Sequence, residues 1–320
     1  MLKKDKTKPF RLTPPAGPTD PEDPTNPTGP TVEDMLKNCA VSKLKADRTP
    51  IPDNRFTLPP EYGVAGGAPK IIDGHEYVDL GLPSGILWAK MNVGAESEKD
   101  VGLYFAWGET TGYPIKEVDG NWVIDASKQF IPDDYAFTDL STQTITKYNT
   151  TDGKTVLDLE DDAAHVNMGG DWHMPNMAQC IELFKETKNG FVTNAGAFTQ
   201  HAWDYSHSSP TQTTATISGW DTAGYFFFKN TYTSVTEAIS AEDYLFIPAA
   251  GYCVDGGVYG VGDYGDVWAS ALNSEGVEDA WSFGFGSGKA GVNNNNRCFG
   301  QSVRGVVGQM DEITPGGGGK

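Results

Sequence analysis

The stretch "HAWDYSH" sets His201, Asp204 and His207 at three-residue spacings, which a helix would gather on one face as metal ligands. The residues that follow, "SSPTQ", put Pro210 into a polar run that opposes a helix, so a surface loop is expected there. Carboxylates also cluster in "DLEDDAAH" and "DGGVYGVGDYGD", beside turn glycines, as calcium loops require. The first cluster reads more simply as the acidic start of a short helix, where the helix dipole favours negative charge. Calcium around Asp255–Asp266 is the metal alternative; otherwise no cofactor is expected. The four cysteines, Cys39, Cys180, Cys253 and Cys298, show no C-x-x-C or zinc spacing. A Cys253–Cys298 bridge is the one pairing considered. Last, Asn293 to Asn296 stand directly before Arg297. Asparagine favours neither helix nor strand, so the run is either a loop or a surface kept polar for binding.

The elements that must hold these residues follow from composition. The chain has 320 residues, 38 of them Gly, with 8 Trp and 11% aromatics, which suggests many turns around an aromatic core and little long helix. A formal charge of −19 argues against a nucleic-acid partner, because phosphate binding needs a basic footprint. No run approaches the ~20 apolar residues of a membrane span, and "MLKKDKTKPFRLTPP" lacks the apolar region of a secretory leader. Most of the prolines lie in residues 1–66, and "PAGPTDPEDPTNPTGP" repeats proline every third residue. That matches polyproline II, an extended arm reaching about 45 Å.

Local signals place several elements. An Asp73-Gly74 turn joins two strands near Ile72, and Asp119-Gly120 turns a hairpin around Trp122. The clearest helix is "NMAQCIELFKETKNG". Asn176 and Gln179 have capping-box spacing, and Asn189-Gly190 is expected to end the helix. Met177, Cys180, Ile181 and Phe184 form its buried stripe, making Cys180 a core thiol. "GYFFFKN" and "YLFIPAAGY" read as strands, and "TPGGGGK" as a flexible end.

Six blocks then occur in order: "YVDLGLPSGILWAKMNVGA", "YFAWGET", "DDAA", "GGDWHMPN", "FIPAAGY" and "RCFGQSVRGV". Together they resemble the Fibrobacter succinogenes major paralogous domain family over roughly Ile71 to Val307. The chain departs from the family pattern at His173 (usually Arg), at Ala269 in "WAS" and at Gly305 in "SVRGV". The resemblance implies an α+β, C-type-lectin-like fold, shared with formylglycine-generating enzymes and with the variable proteins of diversity-generating retroelements. The organisation expected is an arm over residues 1–66, the lectin-like domain over 67–312 and a Gly-rich tail over 313–320.

In retroelement-diversified relatives the last part of the domain carries the ligand surface. By that resemblance the ligand-contacting residues are Asn273, Ser274, Glu275, Asn293, Asn294, Asn295, Asn296 and Arg297, framed by Trp268, Trp281, Phe283 and Phe285. Trp88, Trp107 and Trp172 belong to the core, and His173 is a packed, hydrogen-bonded histidine. The protein is expected to be a non-enzymatic display protein. Its setting would be a phage virion of the gut Bacteroidetes, as a head or tail fibre or decoration. The arm would meet other virion proteins, the tip a host surface glycan or protein, and the chain would form a homo-oligomer. The alternatives are a bacterial cell-surface adhesin and a formylglycine-type oxidoreductase using Cys253 and Cys298.

Overall fold

The computed structural model describes residues 70–308, except 126, 205, 206, 274 and 275 and the side chains of 212 and 213. The expected arm and tail, and Cys39, lie outside the described residues.

The chain opens with short antiparallel pieces. Strands β1 (Ile71–Ile72) and β2 (His75–Val78) are joined at Asp73-Gly74, both in the left-handed region that this tight turn needs. Then come β3 (Leu87–Ala89) and β4 (Tyr104–Phe105). The predicted hairpin around Trp122 is β5 (Ile115–Val118) and β6 (Asn121–Ile124), and β7 (Thr138–Asp139) pairs with β8 (Thr144–Ile145).

Helix α1 (Ala163–Met168) follows the "DLEDD" acids, and Asp162 caps it by accepting from the His165 N–H at 2.9 Å. Helix α2 (Met177–Glu186) begins at the expected capping box. Asn176 Oδ1 accepts from the Gln179 N–H at 2.9 Å, and Gln179 Oε1 accepts from the Asn176 N–H at 2.8 Å. Its stripe of Met177, Cys180, Ile181 and Phe184 is buried as predicted. The predicted end is corrected. The helix stops at Glu186, and Asn189-Gly190 lie inside strand β9 (Thr187–Val192). Asn189 still closes the helix, from the strand, by donating Nδ2 to the carbonyls of Phe184 and Thr187.

The remaining strands are β10 (Ala197–Asp204), β11 (His207–Thr216), β12 (Gly224–Lys229), β13 (Tyr244–Pro248), β14 (Tyr252–Val254), β15 (Gly257–Tyr259), β16 (Tyr264–Leu272), β17 (Asp279–Gly286), β18 (Ala290–Asn296), β19 (Gln301–Ser302) and β20 (Val306–Val307). Helix α3 (Val235–Ser240) sits between β12 and β13. Ten strands form one sheet in the order β13-β12-β9-β10-β11-β18-β17-β16-β19-β4, while β1-β2-β3-β20 form a second. The result is mostly β-sheet with three short α-helices among the described residues, consistent with an α+β or a mainly β fold. No helix there is long and apolar enough to cross a membrane.

Side chains alternate across the large sheet. One face, with Phe191, Tyr225, Phe227, Val267, Phe283 and Phe285, packs under α2 and against Trp88. On the opposite face α3 covers one end, over Phe198, Phe226 and Phe228. At the other end Trp268, Leu272 and Ala280 meet Trp107 and Trp172. The tryptophans expected in the core, Trp88, Trp107 and Trp172, are fully buried, and so is Trp268 of the expected frame. The "SVRGV" departure has a steric reason. A Cβ on Gly305 would sit 2.6 Å from Met168 Sδ and 3.1 Å from the Trp172 ring.

Candidate functional site

The asparagine run is a strand, not a loop. Residues 290–296 pair in register with β17, setting Asn293 opposite Ser282, Asn294 opposite Trp281, Asn295 opposite Ala280 and Asn296 opposite Asp279. The ladder satisfies the backbone whatever the side chains prefer, which overrides weak intrinsic propensity. Asn293, Asn294 and Asn296 are half-buried, whereas Asn295 is buried and donates Nδ2 to Ser282 Oγ at 3.2 Å. Asn273 is also buried, and Ser274 and Glu275 lie outside the described residues.

Arg297 is placed inside the protein, 1% exposed. Its guanidinium donates to the carbonyls of Lys147, Tyr148 and Val277 and to the Tyr135 hydroxyl, all at 2.8–3.0 Å. It also stacks over Trp107, 4.8 Å from the ring centroid. These contacts occupy the fork from within the chain, so Arg297 positions the end of the asparagine strand.

Histidines and aspartate at 201, 204 and 207 are corrected from a loop to two paired strands. Pro210 is accommodated where the β10–β11 register shifts, between Thr199 and His201, as proline in a strand requires. Alternation then separates the three side chains. His201 turns into the core against the Tyr225 ring at 5.3 Å, while Asp204 and His207 pair on the other face. Burial pushes the His201 imidazole down to about 4, with only the backbone at Ser287 and Ser208 opposing it.

That other face carries what the asparagine run alone did not reveal. The register sets Asp204 beside His207, His207 beside Gly291, Gly291 beside Gly284, and Gly284 beside Asp266. The parallel pairing of Val267 with Ser302 brings Gln301 next to Asp266. The row therefore has a floor of two glycines between a His/Asp end and an Asp/Gln end. It lies between the α3 and Trp268 ends of the sheet. Asp204 is exposed, and His207, Gly284 and Asn293 are half-buried, whereas Gly291, Asp266 and Gln301 are buried.

Asp266 is the unusual member. It is 3% exposed, and its Oδ1 has no hydrogen-bond partner among the described residues. Burial raises its carboxyl pKa to about 7, and the facing Asn293 amide only partly offsets this. Oδ1 leans over Gly284, where a Cβ would stand 2.6 Å from it. Gln301 is fully buried, and both its Oε1 and Nε2 lack partners among the described residues. Alongside, Tyr252 stacks on Tyr264, Tyr259 and Phe299 at centroid distances of 5.9, 5.7 and 6.1 Å.

Other candidate centres are internally satisfied. Asp158, Glu160 and Asp161 converge closely enough for a cation, but the Lys147 ammonium bridges all three, and the Tyr148 hydroxyl also donates to Asp161. Among the described residues it is the one such group, and Asp255, Asp263 and Asp266 do not form a second. Cys253 and Cys298 are buried free thiols rather than a bridge. Burial raises both, Cys298 to about 12, far from a thiolate at neutral pH. A pocket of about 280 Å³ is lined by His75, Glu76, Asn92 and Asn167 among others, and the last three have partners within the chain. Glu76 pairs with Lys90, Asn92 accepts from Arg304, and Asn167 donates to Thr110 and Ala163.

His173, where the resembled family usually carries Arg, bonds through its two ring nitrogens to the carbonyls of Met174 and Gly308, each at 2.9 Å. Comparison of the chain with family models, curated proteins and solved structures gave no match.

Proposed function

We propose that the protein is a non-enzymatic ligand-binding and display protein, built on a C-type-lectin-like domain of the Fibrobacter succinogenes major paralogous type. The observation that carries this reading is the partly uncovered face of β10, β11, β18, β17 and β16. There a rigid, aromatic-backed sheet holds half-buried asparagine beside polar atoms that nothing in the described chain satisfies. Buried polar atoms are costly unless paired, so such a site favours an external partner or ordered water. A sheet that is fixed beneath and polar above suits recognition, because side chains there can vary without disturbing the core.

The proposed setting is a phage virion, as a head or tail fibre or decoration assembled as a homo-oligomer. The proline-spaced arm would contact neighbouring virion proteins, and the sheet face would meet host surface glycan or protein. A bacterial cell-surface adhesin of the same design is the second reading. A formylglycine-type oxidoreductase using the buried Cys253 and Cys298 thiols is the third reading, and copper uptake lost in Cys298→Ser would favour it over display.

Two measurements test the proposal. Mass spectrometry of purified particles should find the chain, and its absence from them would remove the virion setting. The full-length protein should bind host cells, and Asn293→Ala should weaken that binding while the protein still melts as a cooperatively folded chain. Binding indifferent to Asn293 and to its neighbours in the row would end the display reading.

A further inference from the structure

We infer that the lane over Gly291 and Gly284 takes an alkylammonium group, with the Asp266 carboxylate as its terminal anchor. This rests on the ligand-binding reading above and names the ligand chemistry.

Along the lane Gly291 is buried and Gly284 half-buried, and Asp266 Oδ1 leans over Gly284, so the anchor stands at the end of the glycine floor. From His207 to Asp266 it crosses three inter-strand spacings, about 14 Å at ~4.8 Å each. Gly291 and Gly284 face each other in its middle and put no side chain into it. An unbranched chain of four to six carbons laid across them would bring its end group to Asp266 Oδ1.

The chemistry at that end selects a charged donor. Asp266 Oδ1 and Gln301 Oε1 are buried acceptors without a partner among the described residues; Gln301 Nε2 is an unpartnered donor beside them, but it is neutral and leaves the carboxylate charge uncompensated. An ammonium offers three donors and a positive charge; a hydroxyl offers one donor and none. The groups that act on Asp266 are the Asn293 amide and, by their proximity, the Tyr252 and Tyr264 phenols, none of them cationic. A buried carboxylate without a countercharge is costly, and an arriving cation removes that cost. The neighbouring tyrosine rings add cation–π attraction, and the net charge of −19 draws cations toward the molecule. Alkylammonium groups occur both as lysine side chains on a partner protein and as free amines, so the lane is assigned to their shared chemistry.

The test is titration of the full chain at pH 8 with n-butylammonium chloride, 1-butanol and sodium butyrate at matched ionic strength, followed by calorimetry. Nα-acetyl-lysine methylamide and 1,4-diaminobutane then distinguish a protein source from a free amine. Saturable millimolar binding of butylammonium, absent for butanol and butyrate, is expected. Asp266→Asn should weaken it at least tenfold, while Glu117→Gln, which removes an exposed carboxylate on the β5–β6 hairpin, should change it less than twofold. A measurement on the unsubstituted protein guards against a misfolded variant: saturating butylammonium should lower the Asp266 side-chain 13C titration midpoint by at least one unit.

Equal binding of butanol and butylammonium, an unmoved midpoint, or equal losses in the two variants would overturn the assignment. So would the absence of any amine binding, the result expected if an ordered water bridges Asp266 and Gln301. Saccharide binding that needs Asn293, with no amine binding, would remove the ammonium and leave the display reading standing.

Discussion

A guanidinium enclosed in protein must find acceptors for its donors or forfeit several kcal/mol of solvation. Arg297 meets that demand with three carbonyls, one phenol and an indole face, and no carboxylate. Lysine cannot reproduce the planar fork, so Arg297→Lys should lower unfolding free energy by about 3–5 kcal/mol in denaturant titration. Asp266 and His201 perturb stability in opposite directions. The Asp266 carboxyl is raised from 3.8 to about 7, so the folded state holds its proton more tightly than the unfolded chain, and stability falls as pH rises across that window. The His201 imidazole is depressed from 6.5 to about 4, so its contribution is complete above 6.5 and falls away as pH drops toward 4. Between about pH 4 and 6.5 the two slopes oppose each other. Asp266→Asn should therefore leave a protein that gains stability with rising pH in this interval, and His201→Gln one that loses it. Melting curves at pH 4.5, 5.5 and 6.5 would check both signs.

At the scale of elements, Gly190 shows how closely β9 and β10 are held. A Cβ there would fall 2.3 Å from the Thr199 carbonyl oxygen and 2.7 Å from the Phe198 ring. Since the first neighbour is backbone, Gly190→Ala should cost about 1–3 kcal/mol or more, read as a lower melting temperature. In β18, Asn294→Pro should do greater damage by removing a donor inside a central strand, whereas Asn294→Thr should stay within about 0.5 kcal/mol. The same elements show what could be read locally. The start of α2 was legible because Asn176 and Gln179 cap it within four residues, and the hairpins because Asp-Gly pairs suit left-handed turns. The end of α2 was not, because Asn189 caps it from the following strand. The asparagine strand was hidden because its stability comes from β17 and from its place mid-sheet, not from its own residues. Asp204 and His207 looked like loop residues for a similar reason, with Pro210 masking a bulged strand. Asp266 was visible only as one acid among several. Its isolation depends on Gly284 and Gln301, which arrive from two other strands.

At the scale of the molecule, one broad sheet is covered unevenly. Its first face is underpinned by α2 and Trp88, and its second is capped at the two ends by apolar clusters. That asymmetry is legible in sequence only as an excess of glycine and aromatics; where the cover stops depends on long-range pairing. The small sheet has a further property. Strand β3 lies between β2, from the start of the domain, and β20, from its end. Arg304, just before β20, donates to the carbonyls of Ala89 and Phe246 and to Asn92 Oδ1, tying the last segment into two regions at once. During translation the opening hairpin must wait, unpartnered on one edge, until the closing residues leave the ribosome. Closure of the small sheet therefore follows synthesis of every other strand in the described residues. A nascent chain stalled before Gln301 should remain open to protease, and one released past Gly308 should become resistant.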